Sequence, residues 1–113
     1  MGSEMCIRDR FENIAGQAYA FDWDGSQWTT EPLDFPGAGS VYIGATNDKE
    51  EQAFIVTEGF LMPSTLWLYN TATTEKRQAK SLPAWFDAST MVVEQFEASS
   101  SDGTQIPLSL IHI

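Results

Sequence analysis

Two residue types that often serve as nucleophile and general base in enzymes, Cys and His, occur once each in this chain. Cys6 and His112 are the only residues of their types among 113. A thiol nucleophile needs a base within hydrogen-bond reach, so these two side chains would have to meet in the fold. Ser89 and the serines at 99–101 have no base nearby in the sequence and are interpreted as turn or linker residues. The sequence therefore assigns no catalytic residue.

Acidic residues form two patterns that resemble functional sites. Asp22-Trp23-Asp24-Gly25 alternates carboxylates before a glycine, as the start of a calcium loop does, but the further oxygen ligands and the bidentate Glu are absent. We interpret this motif as a hairpin turn. Glu94 and Glu97 are spaced by three, which puts them on opposite faces of a strand, so we expect solvated carboxylates and not an acid–base pair.

Metal and cofactor chemistry has little support elsewhere in the sequence. One Cys and one His exclude both a disulfide framework and a Cys/His zinc cluster. We predict no cofactor and no metal ligand, and the residues that contact a substrate stay unassigned.

Aromatic residues offer a binding site of a different kind. Trp23, Trp28, Trp67 and Trp85 are candidates for a sugar-stacking platform, although aromatics at alternating strand positions more often fill the gap between two sheets. Core packing is the favoured interpretation. The segment Phe60-Leu61-Met62-Pro63 also has two interpretations, a packed loop corner, which we favour, and a loop that contacts a substrate.

The charge balance argues against several classes of partner. Six basic residues oppose sixteen acidic ones, for a net charge of −10, whereas a nucleic-acid surface needs the opposite sign. No run of 18 apolar residues is present, and the first 20 residues do not have the form of a signal peptide. We predict no nucleic-acid partner and no membrane partner, and the sequence does not indicate a compartment.

The two ends of the chain are related at the level of DNA. Residues 5–10 can be encoded by a string whose reverse complement encodes Leu-Ser-Leu-Ile-His, the residues at 108–112. Such inverted copies resemble the transposon ends used to prepare sequencing libraries. We expect residues 1–10 and 108–113 to be translated adapter and 11–107 to be an internal piece of a longer protein. The alternative is a genuine N-terminal tail with a genuine C-terminal strand.

Alternating apolar and polar residues predict that the region between the ends is all-β. From Gln17 to Trp23 the alternation has the period of a strand, and Asp24-Gly25 offers a hairpin turn before a returning strand at 27–33. Further strands are predicted at 40–46, 53–58, 66–69 and 76–81, with turns near 47–51 and 70–74. The fold class predicted is therefore antiparallel β-hairpins.

A weak internal repeat refines this prediction. Tyr19, Phe21 and Asp22 align with Trp67, Tyr69 and Asn70 at an offset of 48 residues, and each set is followed by a polar turn, a hydrophilic strand and an apolar-proline corner. The offset suits the period of a β-propeller blade, which is roughly 40–50 residues. We expect a partial propeller of one to two blades.

The last third of the chain resembles a known family. Leu82-Pro83-Ala84-Trp85-Phe86-Asp87-Ala88-Ser89, then Val93-Glu94-Gln95-Phe96-Glu97-Ala98, then Ser101-Asp102-Gly103-Thr104-Gln105-Ile106-Pro107 is similar to the segment where prolyl oligopeptidase family serine peptidases pass from propeller to α/β-hydrolase domain. The upstream run from Gly59 to Tyr69 resembles the last propeller blade of that family. The Gly-x-Ser-x-Gly elbow, Asp and His of the family are absent, so no catalytic residue is transferred.

The resemblance implies a division of the chain and a function. Residues 11–86 would be propeller blades, and 87–107 a linker with the first strand or hairpin of the missing α/β-hydrolase domain. The parent would be a serine oligopeptidase acting on short peptides, its propeller restricting access to the active site, and this piece alone would be inactive. The alternative is a noncatalytic all-β module that binds carbohydrate or protein through its Trp-rich strands.

Overall fold

The computed structural model describes residues 4–12, 15–47 and 49–113, and among the side chains of the first strand it describes only that of Ile7. Every strand pairing in these residues is antiparallel and no helix is present, so the predicted all-β class is confirmed. The strands are β1 (Glu4–Glu12), β2 (Ala15–Trp23), β3 (Trp28–Leu33), β4 (Ser40–Thr46), β5 (Gln52–Glu58), β6 (Thr65–Asn70), β7 (Lys76–Ser81), β8 (Val92–Ser99) and β9 (Gln105–His112).

The first sheet contains three strands in the order β1-β2-β3. Along β2 the side chains of Ala18 and Ala20 are buried, while the intervening Tyr19 is half-buried, as the period of a strand requires. The chain reverses after β2 through a bond from the Asp24 N–H to the carbonyl of Gln27 (3.2 Å). The predicted hairpin at this position is therefore confirmed.

The second sheet is a four-stranded meander in the order β4-β5-β6-β7. Its turns use side-chain caps, since Asn47 Oδ1 accepts the Lys49 N–H (2.9 Å) and Asn70 Oδ1 accepts those of Ala72 (2.9 Å) and Thr73 (3.0 Å). Such Asx caps satisfy backbone donors that the ladder leaves free. The turns predicted near 47–51 and 70–74 are thus found, and a four-stranded meander is the unit of a propeller blade.

The first and second sheets share a small core. They approach each other closely at Gly16: its N–H donates to the carbonyl of Gly39 (2.8 Å), and a Cβ on Gly16 would lie 2.6 Å from the Val41 nitrogen. A side chain at position 16 would force the sheets apart. The buried core consists of Ala18, Ala20 and Leu33 from the first sheet and Val41, Ile55 and Tyr69 from the second.

The internal repeat has a counterpart in the fold. β3 and β7 begin 48 residues apart, at Trp28 and Lys76, and each is an edge strand of its sheet. The capping residues follow a different offset. Asn70 caps the turn after β6, but the equivalent cap after β2 is Asp24 and not Asp22, which the sequence comparison had aligned with Asn70.

The third sheet is the β8–β9 hairpin. Within the described part of the chain neither of these strands pairs with or contacts a strand other than its partner in the hairpin, and residues 82–91 connect them to β7 without forming a strand. The turn is closed by the Ser100 N–H bonding to the carbonyl of Thr104 (2.8 Å), with Gly103 at a φ of 85°. β9 continues past Pro107 to His112, through residues expected to be adapter. Strand pairing concerns the polypeptide and does not test the DNA origin of those residues.

None of the residues that the structure describes belongs to a helix long and apolar enough to cross a membrane.

Candidate functional site

The most distinctive surface feature is an apolar groove between two loops at one end of the second sheet. We call it the corner groove, formed by residues 59–64, which join β5 to β6, and residues 82–86, which follow β7. Its volume is about 230 Å³. Contiguous exposed apolar surface of this kind is typical of interaction sites. The exposed fractions are large for its bulky side chains: Phe60 57%, Leu82 57%, Trp85 85% and Phe86 52%.

Ser64 holds the two walls of the corner groove together. Its carbonyl accepts the Leu82 N–H (3.0 Å), which ties the 59–64 loop to the segment after β7. Its hydroxyl donates to Glu58 Oε1 (3.2 Å) at the end of β5. The next residue, Thr65, donates from Oγ1 to the Pro63 carbonyl (2.9 Å). These bonds satisfy polar groups that would otherwise be desolvated beside the apolar walls.

Gly59 explains the shape of the first wall. A Cβ at this position would lie 2.6 Å from the carbonyl oxygen of Gly37 and 2.7 Å from Cγ of Met62. The 59–64 loop can therefore fold against the corner that follows β3 only because residue 59 has no side chain. This contact links the corner groove to the junction between the first and second sheets.

An aromatic cluster anchors that same corner. The ring of Phe35 lies 5.6 Å from that of Trp67, with an angle of 57° between the planes. Lys76 Nζ lies 4.9 Å above the Phe35 ring and also bonds to the carbonyl of Asp34. Cation–π and tilted aromatic contacts of this geometry are attractive. Phe35 thus packs the corner that follows β3 against β6 and β7.

The electrostatics of the corner groove suit apolar contact. Its eleven described lining residues carry no charged side chain, and Ser64 is the only one with a hydroxyl. Elsewhere on β6, burial raises the pKa of the Tyr69 phenol, with a smaller contribution from the charge of Glu31, so Tyr69 is neutral at physiological pH. The corner groove can hold an apolar surface, and it presents no paired nucleophile and base in its described lining.

A second, larger cleft of about 460 Å³ adjoins the corner groove. One side is formed by Ala38, Phe60 and Leu61, and the other by Val93 and neighbouring residues of the β8–β9 hairpin. Phe60 lines both spaces. The loop corner predicted at 60–63 is confirmed as a corner, although Phe60 is exposed and not packed.

The acidic motifs have the structural roles that the sequence predicts. Asp24 Oδ1 accepts the N–H groups of Ser26 (2.8 Å) and Gln27 (2.9 Å), so Asp24 serves the hairpin turn. These bonds, that from Gln27 first, hold the pKa of the Asp24 carboxyl below its usual value. Glu94 and Glu97 lie on opposite faces of β8 and both are exposed.

The tryptophans have three different environments, and the prediction that all four pack in the core is wrong. Trp67 packs on Phe35, and Trp23 lies 5.4 Å from Trp28 in a tilted pair. Trp28 on β3 is 51% exposed, and Trp85 is 85% exposed in the corner groove. Their alternation along the strands predicted a shared face but not whether anything covers that face.

The two residues considered as a nucleophile and its base lie in different sheets. Cys6 is in β1, opposite Phe21, while His112 is in β9. His112 Nε2 contacts Glu94 Oε2 (2.7 Å), and this bond raises the pKa of the imidazole. Ser89 lies in the strand-free segment, where its N–H bonds to Asp87, and Ser100 lies in the β8–β9 turn. The expectation of a turn or linker role is wrong for Ser99, which is the last residue of β8 and bonds through Oγ to Gln105 on β9.

Part of the corner groove was not anticipated from the sequence. The internal repeat predicts an apolar-proline corner after each hydrophilic strand, at Phe35-Pro36 and Leu82-Pro83, and the strand alternation predicts core packing for Trp85. The predicted hairpin of strands 66–69 and 76–81 already brings Leu82 beside Ser64, because Thr65 pairs with Ser81. The residue pattern does not indicate that residues 83–86 continue along the 59–64 loop.

Comparison with known proteins shows which of them this chain resembles. No protein-family model matches the chain. An uncharacterized peptidase of Sinorhizobium fredii is 34% identical over 99 residues, which are 88% of this chain and 14% of that protein. The chain therefore spans about one seventh of the length of this curated relative.

Solved structures of peptidases also resemble this chain over a small part of their own length. A post-proline cleaving enzyme from Rickettsia typhi is 28% identical, with a TM-score of 0.73 over 96% of this chain and 16% of its own. A prolyl endopeptidase has the same fold, with a TM-score of 0.81 over 99% of this chain and 17% of its own, at 16% identity. The resemblance to the prolyl oligopeptidase family that the sequence indicated is thus confirmed, and the chain corresponds to one segment of a protein of that family.

Proposed function

We propose that this chain is the propeller part of a prolyl oligopeptidase-like serine peptidase, and that it gates the access of short peptides to a catalytic domain outside these 113 residues. One observation carries the proposal. A complete four-stranded blade is followed by a strand-free segment and a separate hairpin, in a chain that matches a post-proline cleaving enzyme over 96% of its length.

The same architecture supports a division of the chain. We assign residues 11–86 to propeller blades, and 87–107 to the linker and the first hairpin of the α/β-hydrolase domain. Residues 1–10 and 108–113 are assigned to adapter. The boundary between residues 86 and 87 has structural support, because residues 82–91 contain no strand and β8–β9 packs against no other described strand. Few contacts cross a domain boundary.

In this proposal the residues of the chain restrict access and perform no bond chemistry. The nucleophile, base and oxyanion donors would come from the hydrolase domain. The blade contributes a hydrogen-bonded wall, whose buried core residues Ile55 and Tyr69 hold its strands in register. A rigid wall excludes bulky polypeptides and bulk water from the reacting centre while short peptides pass.

The test compares the rates at which the full-length parent protein cleaves two substrates. We expect the parent to cleave a short proline-containing chromogenic peptide, and to cleave the same site about tenfold more slowly or worse within a long polypeptide, because the propeller excludes long chains. A serine-directed covalent inhibitor should abolish the turnover. Equal cleavage of both substrates would exclude the gating role, and absence of inhibitable turnover would exclude the peptidase assignment.

Two exposed aromatics keep a second candidate function open. Trp28 is 51% exposed beside Trp23, and Trp85 is 85% exposed. Exposed indoles stack on sugars and on protein partners, so a noncatalytic binding module is the second candidate. Titration of the chain with oligosaccharides should then change its Trp fluorescence, and Trp28→Ala or Trp85→Ala should remove the change. An unchanged spectrum would exclude carbohydrate binding.

A further inference from the structure

We propose that the basic residues of β7 prevent the free edge of the second sheet from pairing with a strand of another chain. These residues are Lys76, Arg77 and Lys80. The inference does not depend on the proposed function, because it concerns a sheet edge that each copy of this chain exposes. It assigns a role to charges that the gating proposal does not use.

β7 is an open edge. It pairs with β6 on one side and with no described strand on the other, and all six of its residues are exposed. Alternate backbone N–H and C=O groups along such an edge have no partner in the sheet, so they can bind an incoming strand. An edge of this kind therefore promotes association unless something blocks it.

Basic side chains are concentrated on this edge. The region from 11 to 107 has four basic residues, and three of them lie between positions 76 and 80. β4, the opposite edge of the same sheet, has no charged residue. In a chain with a net charge of −10, this positive charge is a property of one edge and not of the surface as a whole.

The cations lie on both faces of the edge. Lys76 is opposite Tyr69, whose side chain is buried in the core, and so lies on the core face. Arg77 and Lys80 lie on the other face, although they are three residues apart, because a register shift leaves Ala79 without a partner. An incoming strand would meet a cation on either face, and a second copy of β7 would bring like charges opposite each other.

Arg77 and Lys80 keep their charges free. Among the residues that the structure describes, no carboxylate forms an ion pair with either of them. Lys76 differs, because its Nζ packs over the Phe35 ring and bonds to the carbonyl of Asp34. Lys76 therefore also holds β7 against the corner after β3, and Arg77 and Lys80 are the charges to substitute in a test.

The free edge of the first sheet has a different block. β3 contains Pro32, which pairs with Tyr19 of β2 and has no N–H. A proline within a sheet is confined to an edge strand, because it cannot donate to the ladder. The edge strands β3 and β7 thus each carry a feature that interrupts pairing with a further strand.

Sedimentation velocity and hydrogen–deuterium exchange of the chain test this proposal. Arg77→Thr/Lys80→Thr removes both free charges and introduces residues suited to a strand. We expect the concentration at which half of the chain is associated to fall about tenfold, because repulsion at several cross-strand positions is lost. In the associated state, backbone exchange in the peptide that covers 76–81 should become slower than in the original chain, since pairing protects the outward N–H groups.

Two control variants separate charge from other effects. Arg77→Glu/Lys80→Glu keeps charge at the edge and should associate no more than the original chain. Gln78→Thr adds a threonine to the same strand without removing a charge and should behave in the same way. Both double variants make the chain more negative than −10, so net charge alone predicts weaker association of the Thr variant, opposite to our expectation.

Each other result overturns the proposal. Equal association of the double Thr variant and the original chain would show that the cations block nothing. Stronger association without slower exchange at 76–81 would place the contact on another surface, such as the β8–β9 hairpin. If the Glu variant or Gln78→Thr associated as strongly as the double Thr variant, the loss of charge would not be the cause. Loss of the β-sheet circular dichroism signal from the double Thr variant at low concentration would show that these residues stabilise the sheet instead.

Discussion

The indole N–H of Trp67 donates a hydrogen bond of 2.9 Å to Oγ1 of Thr57, across the pair of strands at the centre of the blade. Thr57 is completely buried, and Trp67 also packs on Phe35. The bond therefore connects the middle of the second sheet to the corner that follows β3. Buried polar groups paired in this way define one arrangement of a core, because leaving either group unpaired is costly.

Thr57→Val should destabilise the chain. Valine keeps the shape of the side chain but removes the acceptor, so the Trp67 N–H loses its partner and the free energy of unfolding should fall by about 1–3 kcal/mol. Urea unfolding followed by Trp fluorescence measures the change. Thr30→Val, at an exposed site on β3, is the control and should stay within about 0.5 kcal/mol of the original chain. Equal stability of the two variants would mean that the bond contributes nothing.

Gly59→Ala should disturb the corner groove more than Gly39→Ala. The added methyl at 59 would lie 2.6 Å from the Gly37 carbonyl oxygen, whereas at 39 its nearest neighbour, the Glu58 carbonyl oxygen, is 3.7 Å away. Overpacking of this kind costs about 1–3 kcal/mol. Thermal unfolding of both variants measures the difference. If Gly59→Ala unfolds at the same temperature as Gly39→Ala, the tight contact is not present in solution.

Local patterns predicted the strands well and their environment less well. The alternation from Gln17 to Trp23 and the Asp24-Gly25 dipeptide predicted β2 and its turn, because strand period and turn chemistry are properties of neighbouring residues. The exposure of Trp85 was not predictable in the same way. Burial of a side chain depends on what other segment covers it, and the segment facing Trp85 across the corner groove is about 20 residues away in sequence.

The isolated chain should self-associate at high concentration in spite of its charge. Val92, Phe96, Ile106 and Leu110 lie on one face of the β8–β9 hairpin, and each is about half exposed. Uncovered apolar faces and open sheet edges favour association. Sedimentation velocity over a range of concentrations should show a rising sedimentation coefficient.

Two substitutions on β8 locate the surface responsible. Phe96→Ser should weaken the association, while Gln95→Ser, on the opposite face of the same strand, should not. A monodisperse monomer with sharp two-state unfolding at every concentration would count against the view that this chain is part of a larger fold.

Acid should weaken the β2–β3 hairpin through Asp24. The N–H groups of Gln27 and Ser26 hold its pKa below the ordinary 3.8, so the stabilisation is complete above that value and is lost as the pH falls through the lower pKa of the folded state. Asp24→Asn keeps an acceptor oxygen but does not titrate. Its unfolding midpoint should therefore change less between about pH 5 and about pH 3 than that of the original chain.

Asp87 and Asp102 have pKa values lowered in the same way and remain in the variant, so part of the acid sensitivity should persist. Identical pH profiles for Asp24→Asn and the original chain would show that the turn bonds at Asp24 do not stabilise the fold.

The purified chain should be inactive towards proline-containing chromogenic peptides. Peptide hydrolysis needs an activated nucleophile, a base in hydrogen-bond contact and donors for the oxyanion. Cys6 and His112 lie in strands of different sheets, and the His112 imidazole is bonded to Glu94. The measurement compares equal molar amounts of the chain, of its Cys6→Ser/His112→Ala variant and of the full-length parent. Turnover should be confined to the parent, where the catalytic domain is present. Turnover by the chain that survives the double substitution would refute both the assignment of its ends to adapter and the division of labour between propeller and hydrolase.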